Sequence, residues 1–212
     1  YTPVEKLPEE TSWVMAGCHS LSVLDKEIIG DPIETAALKH AGWTLLNSEN
    51  VKKQRSNIRI RHRFHFNSAL KRMSVVVSVD QQNNMALVKG APEVLMSFLK
   101  TVPDHYERVY KTFARRGARI IAMAYKSMPS LDSDAMKALK REEVECDLNF
   151  AGFLVFECPL KSDSQEVIQQ LIDSSHTTVM ITGDAALTAC EVSRRLKMVN
   201  KPVLILDENP EN

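Results

Sequence analysis

One short segment, Thr182-Gly183-Asp184, combines residue types that could handle a phosphate group. It follows an apolar stretch and precedes a helical pattern, and helix N-termini at the carboxyl ends of strands favour anions. A hydroxyl, a glycine and a carboxylate at that point could bind a phosphate and its magnesium ion. The same residues could equally be the N-terminal cap of an ordinary helix, because Thr and Asp are common capping residues.

A second segment, Lys89-Gly90-Ala91-Pro92-Glu93, reads as the end of a strand followed by a helix that begins at Pro92. Gly90 permits close approach of the backbone, and Lys89 would project toward a ligand at the helix N-terminus. The alternative is a surface turn that a proline closes at the start of the helix.

A third segment, from Phe66 to Met73, brings an aromatic ring close to cationic side chains. The ring could stack on a base, and Lys71 and Arg72 could meet phosphates, which together would make a shelf for a nucleotide. However, Phe66 shares the parity of Ile60 and Phe64 in an alternating pattern, which would place it in the core. Only a bend at the end of the strand would release the ring into a cleft.

Asp31 and Glu34 form a pattern that needs no ligand at all. Asp at the N-cap with Glu at the third helical position is a capping box, which stabilises a helix by about 1 kcal/mol. Pro32 fits the first helical position.

The elements that would carry these segments change in kind near residue 157. Before it, alternating or apolar runs predict strands, and interspersed periodic segments predict helices, so an antiparallel sheet flanked by helices fits best. The predicted strands are 58–66, 74–79, 85–88, 119–125 and 150–156, and the predicted helices are 13–24, 31–40, 104–116, 132–145 and one from Pro92.

After Cys158-Pro159-Leu160-Lys161, helices alternate with short apolar runs. One helix is predicted to begin at Ser164, and a second is predicted to end at Leu196. Strands are predicted at residues 178–181 and 203–206. This order predicts a partial parallel α/β sheet with right-handed crossovers. The chain is therefore predicted to be of the α/β (α+β) class, with one domain over residues 1–156 and part of another over residues 157–212.

Composition argues against several classes of function. Of 212 residues, 27 are Lys or Arg and 27 are Asp or Glu, so no overall positive field would attract nucleic acid. In the basic run from Lys52 to Arg63, the alternation predicts that Arg59, Arg61 and Arg63 lie on a solvated strand face. The four Cys and six His are too scattered for a zinc site, and the thiols are expected to be reduced. No apolar run is long enough to span a bilayer, so this stretch is expected to be soluble.

Taken together, the segments resemble the P-type ATPases. The resemblance covers residues from about 13 to 200 and rests on the order and spacing of six motifs. They are Asp31-Pro32-Ile33-Glu34-Thr35-Ala36-Ala37-Leu38, the run from Phe66 to Ser74, Lys89-Gly90-Ala91-Pro92-Glu93, Gly117-Ala118-Arg119, Cys158-Pro159-Leu160-Lys161 and Thr182-Gly183-Asp184.

The run from Arg63 to Ser74 and the run from Glu157 to Ser164 look most like the type V, subgroup A members of the endoplasmic reticulum. Most other P-type pumps carry an Asp where Cys158 stands. Subgroup B shares much of the Phe66 segment. The resemblance implies a nucleotide-binding (N) domain followed by the start of a haloacid-dehalogenase-like phosphorylation (P) domain.

The resemblance also implies site residues. Phe66 would stack on adenine, Lys71 and Lys89 would line the pocket with Gly90, and Arg119 would reach the phosphates. Glu34, with Asp31, would lie at the adenine side. Thr182, Gly183 and Asp184 would help to place the γ-phosphate and Mg²⁺. The implied cofactors are ATP and Mg²⁺, and no metal site formed by the protein alone is expected.

Two positions depart from the family's pattern. Ala185 stands where members usually have Asn after Thr-Gly-Asp, and Ser68 stands where many ion pumps have an Arg that meets the phosphates. The nucleotide affinity is therefore expected to be low.

The Asp-Lys-Thr-Gly motif, whose Asp accepts the phosphoryl group in the family, does not occur in this sequence. The chain is accordingly expected to bind ATP without hydrolysing it. Its parent would be a multi-pass membrane pump with this part on the cytosolic face of the endoplasmic reticulum. That pump would form an aspartyl-phosphate and move transmembrane segments of client proteins.

Three other interpretations remain open. The first is a subgroup B-like pump for cations. The second is a phosphatase of the haloacid-dehalogenase type, although Asp207, which follows a predicted strand, lacks the second Asp of an Asp-x-Asp motif. The third is an interaction module with an inactive pocket.

Overall fold

The computed structural model describes residues 2–206 and divides into two compact units. The first unit comprises Tyr1–Tyr106 and Ile121–Leu154, and the second comprises Glu107–Ile120 and Val155–Asn212. Residues 1 and 207–212 lie outside the described part, and so does Asp207.

A seven-stranded antiparallel sheet organises the first unit, and its strands lie side by side in the order of the sequence. A separate hairpin, β1 and β2, precedes it. The strands are β1 (Ser22–Leu24), β2 (Glu27–Ile29), β3 (Thr44–Asn47), β4 (Asn50–Lys53), β5 (Ser56–Asn67), β6 (Arg72–Val79), β7 (Asn83–Gly90), β8 (Arg119–Met128) and β9 (Asn149–Phe156).

Eight α-helices accompany the strands in the described residues, and none of those helices has the length and apolar character needed to cross a membrane. They are α1 (Glu9–Gly17), α2 (Pro32–His40), α3 (Pro92–Leu95), α4 (Tyr106–Ala114), α5 (Ser133–Ala138), α6 (Arg141–Val144), α7 (Ser164–Asp173) and α8 (Ala186–Arg195). Short 3-10 turns occur at Val4–Lys6 and Met96–Phe98.

The central strands of the sheet are buried on both faces. Val75 and Val77 of β6 join a core with Val14 of α1 and Leu38 of α2, while Val76 lies in a second cluster with Met136 of α5. Successive side chains of a strand point to opposite faces, so helices on both sides explain why β6 is a continuous apolar run. The prediction of an antiparallel sheet flanked by helices is confirmed.

The helix predicted over residues 13–24 is wrong in its second half. The helix α1 ends at Gly17, and residues 22–24 instead pair with residues 27–29 as the β1–β2 hairpin. Asp25 and Lys26 link the two strands with φ values of 49° and 69°. Positive φ at both turn residues matches the twist of a two-residue hairpin, but Asp-Lys lacks the glycine that usually signals such a turn.

Two other elements differ from their predicted forms. The segment at 132–145 is two short helices, α5 and α6, because residues 139 and 140 are extended between them. Lys89 and Gly90 do not break β7 but complete it, since Gly90 pairs with Arg72 on β6 and with Ala122 on β8.

The strands predicted at residues 178–181 and 203–206 are not formed in the described residues. Ile181 is 95% exposed and Leu206 is 85% exposed. An apolar strand needs neighbours on its hydrogen-bonding edges, and no segment within residues 2–206 pairs with either run. Helices α7 and α8 are formed as predicted, but the parallel sheet between them is not.

Candidate nucleotide-binding site

The turn between β5 and β6 sets the shape of the candidate site. Asn67 closes it, because its side-chain oxygen accepts hydrogen bonds from the backbone N–H groups of Ala69 (2.9 Å) and Leu70 (3.1 Å). Lys71 lies at the far end of the turn, with a φ of 50°. Such Asx turns use a short polar side chain in place of backbone partners.

Phe66 lies at the end of β5, and its side chain is 61% exposed. The pairing register between β5 and β6 shifts between Phe64 and Asn67, so the ladder is interrupted at this ring. A shift of this kind redirects side chains relative to the regular alternation. The alternative that placed Phe66 in the core is therefore wrong, and the bend that would release the ring is present.

Lys89 and Glu34 form a buried ion pair. The Lys89 ammonium lies 2.7 Å from Glu34 Oε1, and the two side chains are 12% and 9% exposed. The other carboxylate oxygen, Oε2, accepts a hydrogen bond of 2.8 Å from the backbone N–H of Ser20. A buried carboxylate is tolerated when it has a cation and a further donor in this way.

The capping-box interpretation of Asp31 and Glu34 is half right. Asp31 is the N-cap of α2, and its carboxylate accepts from the N–H of Ile33 at 2.8 Å. Glu34 does not return the bond, because both of its oxygens face Lys89 and Ser20. Glu34 is thus the buried partner of Lys89, whereas Asp31 is exposed and caps α2.

Gly90 allows β7 to lie unusually close to the Lys71 end of the turn. A Cβ atom added at Gly90 would lie 2.6 Å from Arg72 Cβ and 2.7 Å from the Lys71 carbonyl oxygen. That carbonyl accepts a hydrogen bond from the N–H of Ala91 at 3.0 Å. Lys71 itself is 59% exposed in its side chain, with its ammonium 3.9 Å from Glu93 Oε1.

The loop after α1 supplies groups that the sequence did not indicate as part of the site. Ser20 holds Glu34, and its neighbour His19 is 1% exposed. His19 Nδ1 accepts from the N–H of Leu21 at 3.0 Å, while the His19 carbonyl accepts from Arg63 Nε at 3.0 Å.

Burial sets the protonation of both residues in that loop. Burial raises the pKa of the Cys18 thiol to about 12, so the thiol stays neutral and packs in the core. Burial, and then the charges of Arg63 and Lys89, lower the pKa of the His19 imidazole to about 3. The imidazole is therefore neutral at pH 7, and it keeps Nδ1 as an acceptor.

Replacing His19 by Asn is expected to reduce the acid sensitivity of the fold. Because the pKa of His19 falls from 6.5 to about 3 on folding, only the unfolded chain takes up this proton between those values. Stability is therefore lost as the pH falls below about 6.5, by up to about 1.4 kcal/mol per unit. Urea unfolding at pH 7 and pH 5 measures this slope, and Asn can still accept from Leu21.

The wild-type chain and the His19→Asn variant should then differ in the slope of stability against pH, whatever stability the smaller side chain loses at pH 7 through poorer packing. His176, which is exposed, provides the matched control: His176→Asn should leave the pH slope unchanged. Equal slopes for wild type and His19→Asn would show that other groups cause the acid sensitivity.

The second unit contains the remaining candidates. The Arg119 guanidinium donates to Asp184 Oδ1, with Nε at 2.8 Å, and Thr182 Oγ1 accepts from the N–H of Asp184 at 3.1 Å. Helix α8 has Ala185 as its N-cap, so neither Thr182 nor Asp184 is the cap considered from the sequence. Thr188 of α8 donates to the Ala118 carbonyl at 2.9 Å, which attaches the helix beside Arg119.

Two of the expected site residues lie in open surroundings. Ser68 is exposed in the β5–β6 turn, and a Cβ at Gly183 would meet nothing within 4 Å. In the part of the chain that the structure describes, no cluster of three or more His, Cys, Asp or Glu side chains could hold a metal ion.

Comparisons with known proteins identify the family. Residues 14–105 match the family described as "P-type ATPase, cytoplasmic domain N". This chain therefore carries the cytoplasmic N domain of a P-type ATPase, and the family resemblance predicted from the ordered motifs is confirmed.

Individual relatives are similar to this chain over nearly its whole length. The chain is 44% identical to a probable manganese-transporting ATPase of Arabidopsis thaliana over 97% of its length, which is 18% of that protein. It is 42% identical to the endoplasmic reticulum transmembrane helix translocase of Saccharomyces cerevisiae over 94% of its length, or 16% of that protein. The translocase of Aspergillus fumigatus is 41% identical over 95% of the chain and 17% of its own length. The chain thus spans less than a fifth of these relatives.

Proposed function

We propose that this chain binds ATP at the edge of the sheet where strands β5 and β7 end and strand β6 begins. The observation that carries the proposal is the exposed ring of Phe66 at the same end of the sheet as the buried Lys89–Glu34 pair. An aromatic face on a strand suits a base, and ammonium groups suit phosphates. Lys71, also at this end, adds a second cation, whose side chain is 59% exposed.

The family resemblance suggests a role for each residue of the proposed site. Phe66 would stack on adenine, with Glu34 and Asp31 at the adenine side, and Lys71 and Lys89 would line the pocket. Gly90 keeps β7 close to the turn, and Ser68 leaves that turn without the extra cation of many ion pumps. This donor set suits a nucleotide, and the nearly buried Lys89 would contribute at the inner end of the pocket.

The family resemblance also suggests a domain division and residues for the phosphates. Residues 1–156 would form the N domain and residues 157–212 part of the P domain. In the P domain, Thr182, Gly183 and Asp184 would help to place the γ-phosphate and Mg²⁺, and Arg119 would reach the phosphates. Asp184 can offer carboxylate oxygens, the kind of ligand that Mg²⁺ prefers. Bound ATP with Mg²⁺ would supply the phosphoryl group that the family transfers.

For the parent protein, we propose a type V, subgroup A pump of the endoplasmic reticulum membrane. It would couple ATP hydrolysis through an aspartyl-phosphate to the dislocation of transmembrane segments, with this part on the cytosolic side. The names of the Saccharomyces and Aspergillus relatives support that cargo. The name of the Arabidopsis relative supports a cation as the alternative cargo.

ATP titration monitored by backbone amide resonances tests the binding proposal. We expect millimolar ATP to shift the resonances of residues 66–71 and of Lys89 in the wild-type chain. Phe66→Ala should weaken binding by about 10- to 100-fold, since base stacking on a ring contributes about 1–3 kcal/mol. Phe66→Tyr keeps the ring and should bind nearly as well as wild type.

The same titration separates the other functions. If no resonance moves at millimolar ATP, the chain is not a nucleotide-binding module, and an interaction role becomes the better explanation. We expect no release of phosphate from ATP by this chain alone. Hydrolysis of a small phosphate ester would instead support the phosphatase alternative.

A further inference from the structure

Glu145 is a buried carboxylate that is not among the proposed nucleotide-binding residues. It lies at the C-terminal cap of α6, and its side chain is 1% exposed. Its Oε1 accepts from Ser74 Oγ at 2.7 Å and from Arg141 Nη1 at 2.8 Å, and its Oε2 accepts from Arg72 Nε at 2.6 Å. Two guanidinium groups and a hydroxyl thus converge on one carboxylate, which is a demanding arrangement to bury.

Each arginine also holds a backbone carbonyl of the turn that carries Phe66 and Lys71. Arg141 Nη2 donates to the carbonyl of His65 at 2.9 Å, and His65 directly precedes Phe66. Arg72 Nη1 donates to the carbonyl of Leu70 at 3.2 Å, and Leu70 directly precedes Lys71. Both ends of the turn are therefore tied, through two planar guanidinium forks, to the carboxylate of Glu145.

The interruption of the β5–β6 ladder leaves room for such a tie. Phe64 pairs with Ser74 and Asn67 pairs with Arg72, so His65 and Phe66 fall between the paired positions. The His65 carbonyl therefore lies outside the paired positions of the ladder, and it accepts from Arg141 instead.

Aromatic contacts restrict the two guanidinium groups further. The Arg72 guanidinium lies 4.4 Å from the centre of the Phe98 ring, and that of Arg141 lies 5.3 Å from the centre of the Phe64 ring. Cations above ring faces are held by the electrostatic attraction of the ring. The forks are therefore restrained by a ring as well as by the carboxylate.

We propose that Glu145 is a positioning residue for nucleotide binding, acting through Arg72 and Arg141 on the turn that presents Phe66 and Lys71. The proposal rests on the ATP-binding role given above. Glu145 has no exposed surface to offer a ligand, so its effect on affinity passes through the turn. The substitution Glu145→Gln keeps the shape and one acceptor oxygen but removes the charge and turns an amide donor toward an arginine.

The test measures ATP affinity by calorimetry on the 212-residue chain, at a temperature where circular dichroism shows each variant folded. Glu145→Gln should weaken ATP binding by about tenfold, because small displacements of binding groups have effects of that size. In a Phe66→Ala background, the same substitution should weaken binding by less than about threefold, since only its effect through Lys71 remains. Glu142→Gln, an exposed glutamate on the same helix, is the matched control and should bind as wild type.

A second variant tests the same role while keeping the buried charges, in case Glu145→Gln fails to fold. Arg141→Lys keeps a cation beside Glu145, but one ammonium cannot replace a fork that reaches both Glu145 and the His65 carbonyl. It should weaken binding by about threefold to fivefold, and this effect too should vanish in the Phe66→Ala background.

The possible outcomes separate the two proposals. If the wild-type chain binds ATP and both variants bind equally well, Glu145 stabilises the fold only and the positioning role is overturned. Equal losses with and without Phe66 would also overturn it, because the effect would then bypass the aromatic ring that the turn is proposed to position. If the wild-type chain itself binds no ATP, the proposed function fails, and the positioning role fails with it.

Discussion

Lys89→Met is expected to abolish ATP binding and to lower the free energy of unfolding by about 3 kcal/mol. The ammonium of Lys89 is the cation for a carboxylate, Glu34, whose side chain is only 9% exposed. Removing one partner of a buried ion pair leaves the other without compensation, which typically costs 3–5 kcal/mol. Methionine preserves the unbranched apolar stem, so the loss reports the charge rather than a cavity.

A double substitution separates the two effects of Lys89. Glu34→Gln removes the charge that Lys89 neutralises, so Lys89→Met combined with Glu34→Gln should recover most of the lost stability. It should not recover ATP binding if Lys89 contacts the nucleotide. Urea unfolding measures the stabilities, and calorimetry on the folded variants measures the affinities.

The exposed pair Lys111 and Glu107 provides the control for this cycle. Its side chains are 40% and 51% exposed, so Lys111→Met should change stability by less than about 0.5 kcal/mol. It should also leave ATP affinity unchanged. If Lys89→Met binds ATP normally, Lys89 has no role in the site, and the buried pair serves the fold alone.

Gly90→Ala is expected to destabilise the chain by about 2 kcal/mol and to weaken ATP binding. The added Cβ would lie 2.6 Å from Arg72 Cβ and 2.7 Å from the Lys71 carbonyl oxygen, closer than such atoms approach in proteins. The atoms in the way belong to the backbone or lie next to it, so the strand cannot relieve the contact by changing a rotamer. The turn that carries Lys71 must move away from β7 instead.

Gly183→Ala is the matched control for stability, because a Cβ there would meet nothing within 4 Å. It should unfold within about 0.5 kcal/mol of wild type. If Gly90→Ala were as stable as wild type, β7 and the turn would be free to separate. The close approach would then have no part in positioning Lys71.

Part of this site could be read from residue types. The capping role of Asp31 follows from Asp before Pro, and the strands of the sheet follow from runs of Val, Ile and alternating residues. The candidate residues Lys89 and Phe66 were recognisable because a cation beside a glycine and an aromatic ring before cations are chemically suggestive. Their order along the chain indicated the family, which the comparisons confirm.

The local sequence alone could not assign Glu34. A Glu at the third helical position reads as half of a capping box, and the structure instead buries it against Lys89, which lies 55 residues further along the chain. Phe66 is a second residue whose environment the local sequence could not assign. Its parity predicts a core position, but a shift in pairing with β6 exposes it. Neither the distant cation nor the register shift is encoded in a short window.

The same limit explains the errors near the C-terminal end. Residues 178–181 have the apolar composition of a buried strand, yet strand formation depends on partners that composition does not reveal. In this chain, periodicity and capping residues therefore determine those helices and strands that the local sequence alone can stabilise. Pairing between distant strands decides which charges meet, because Lys89 reaches Glu34, and Arg72 reaches Glu145, only after the sheet brings them together.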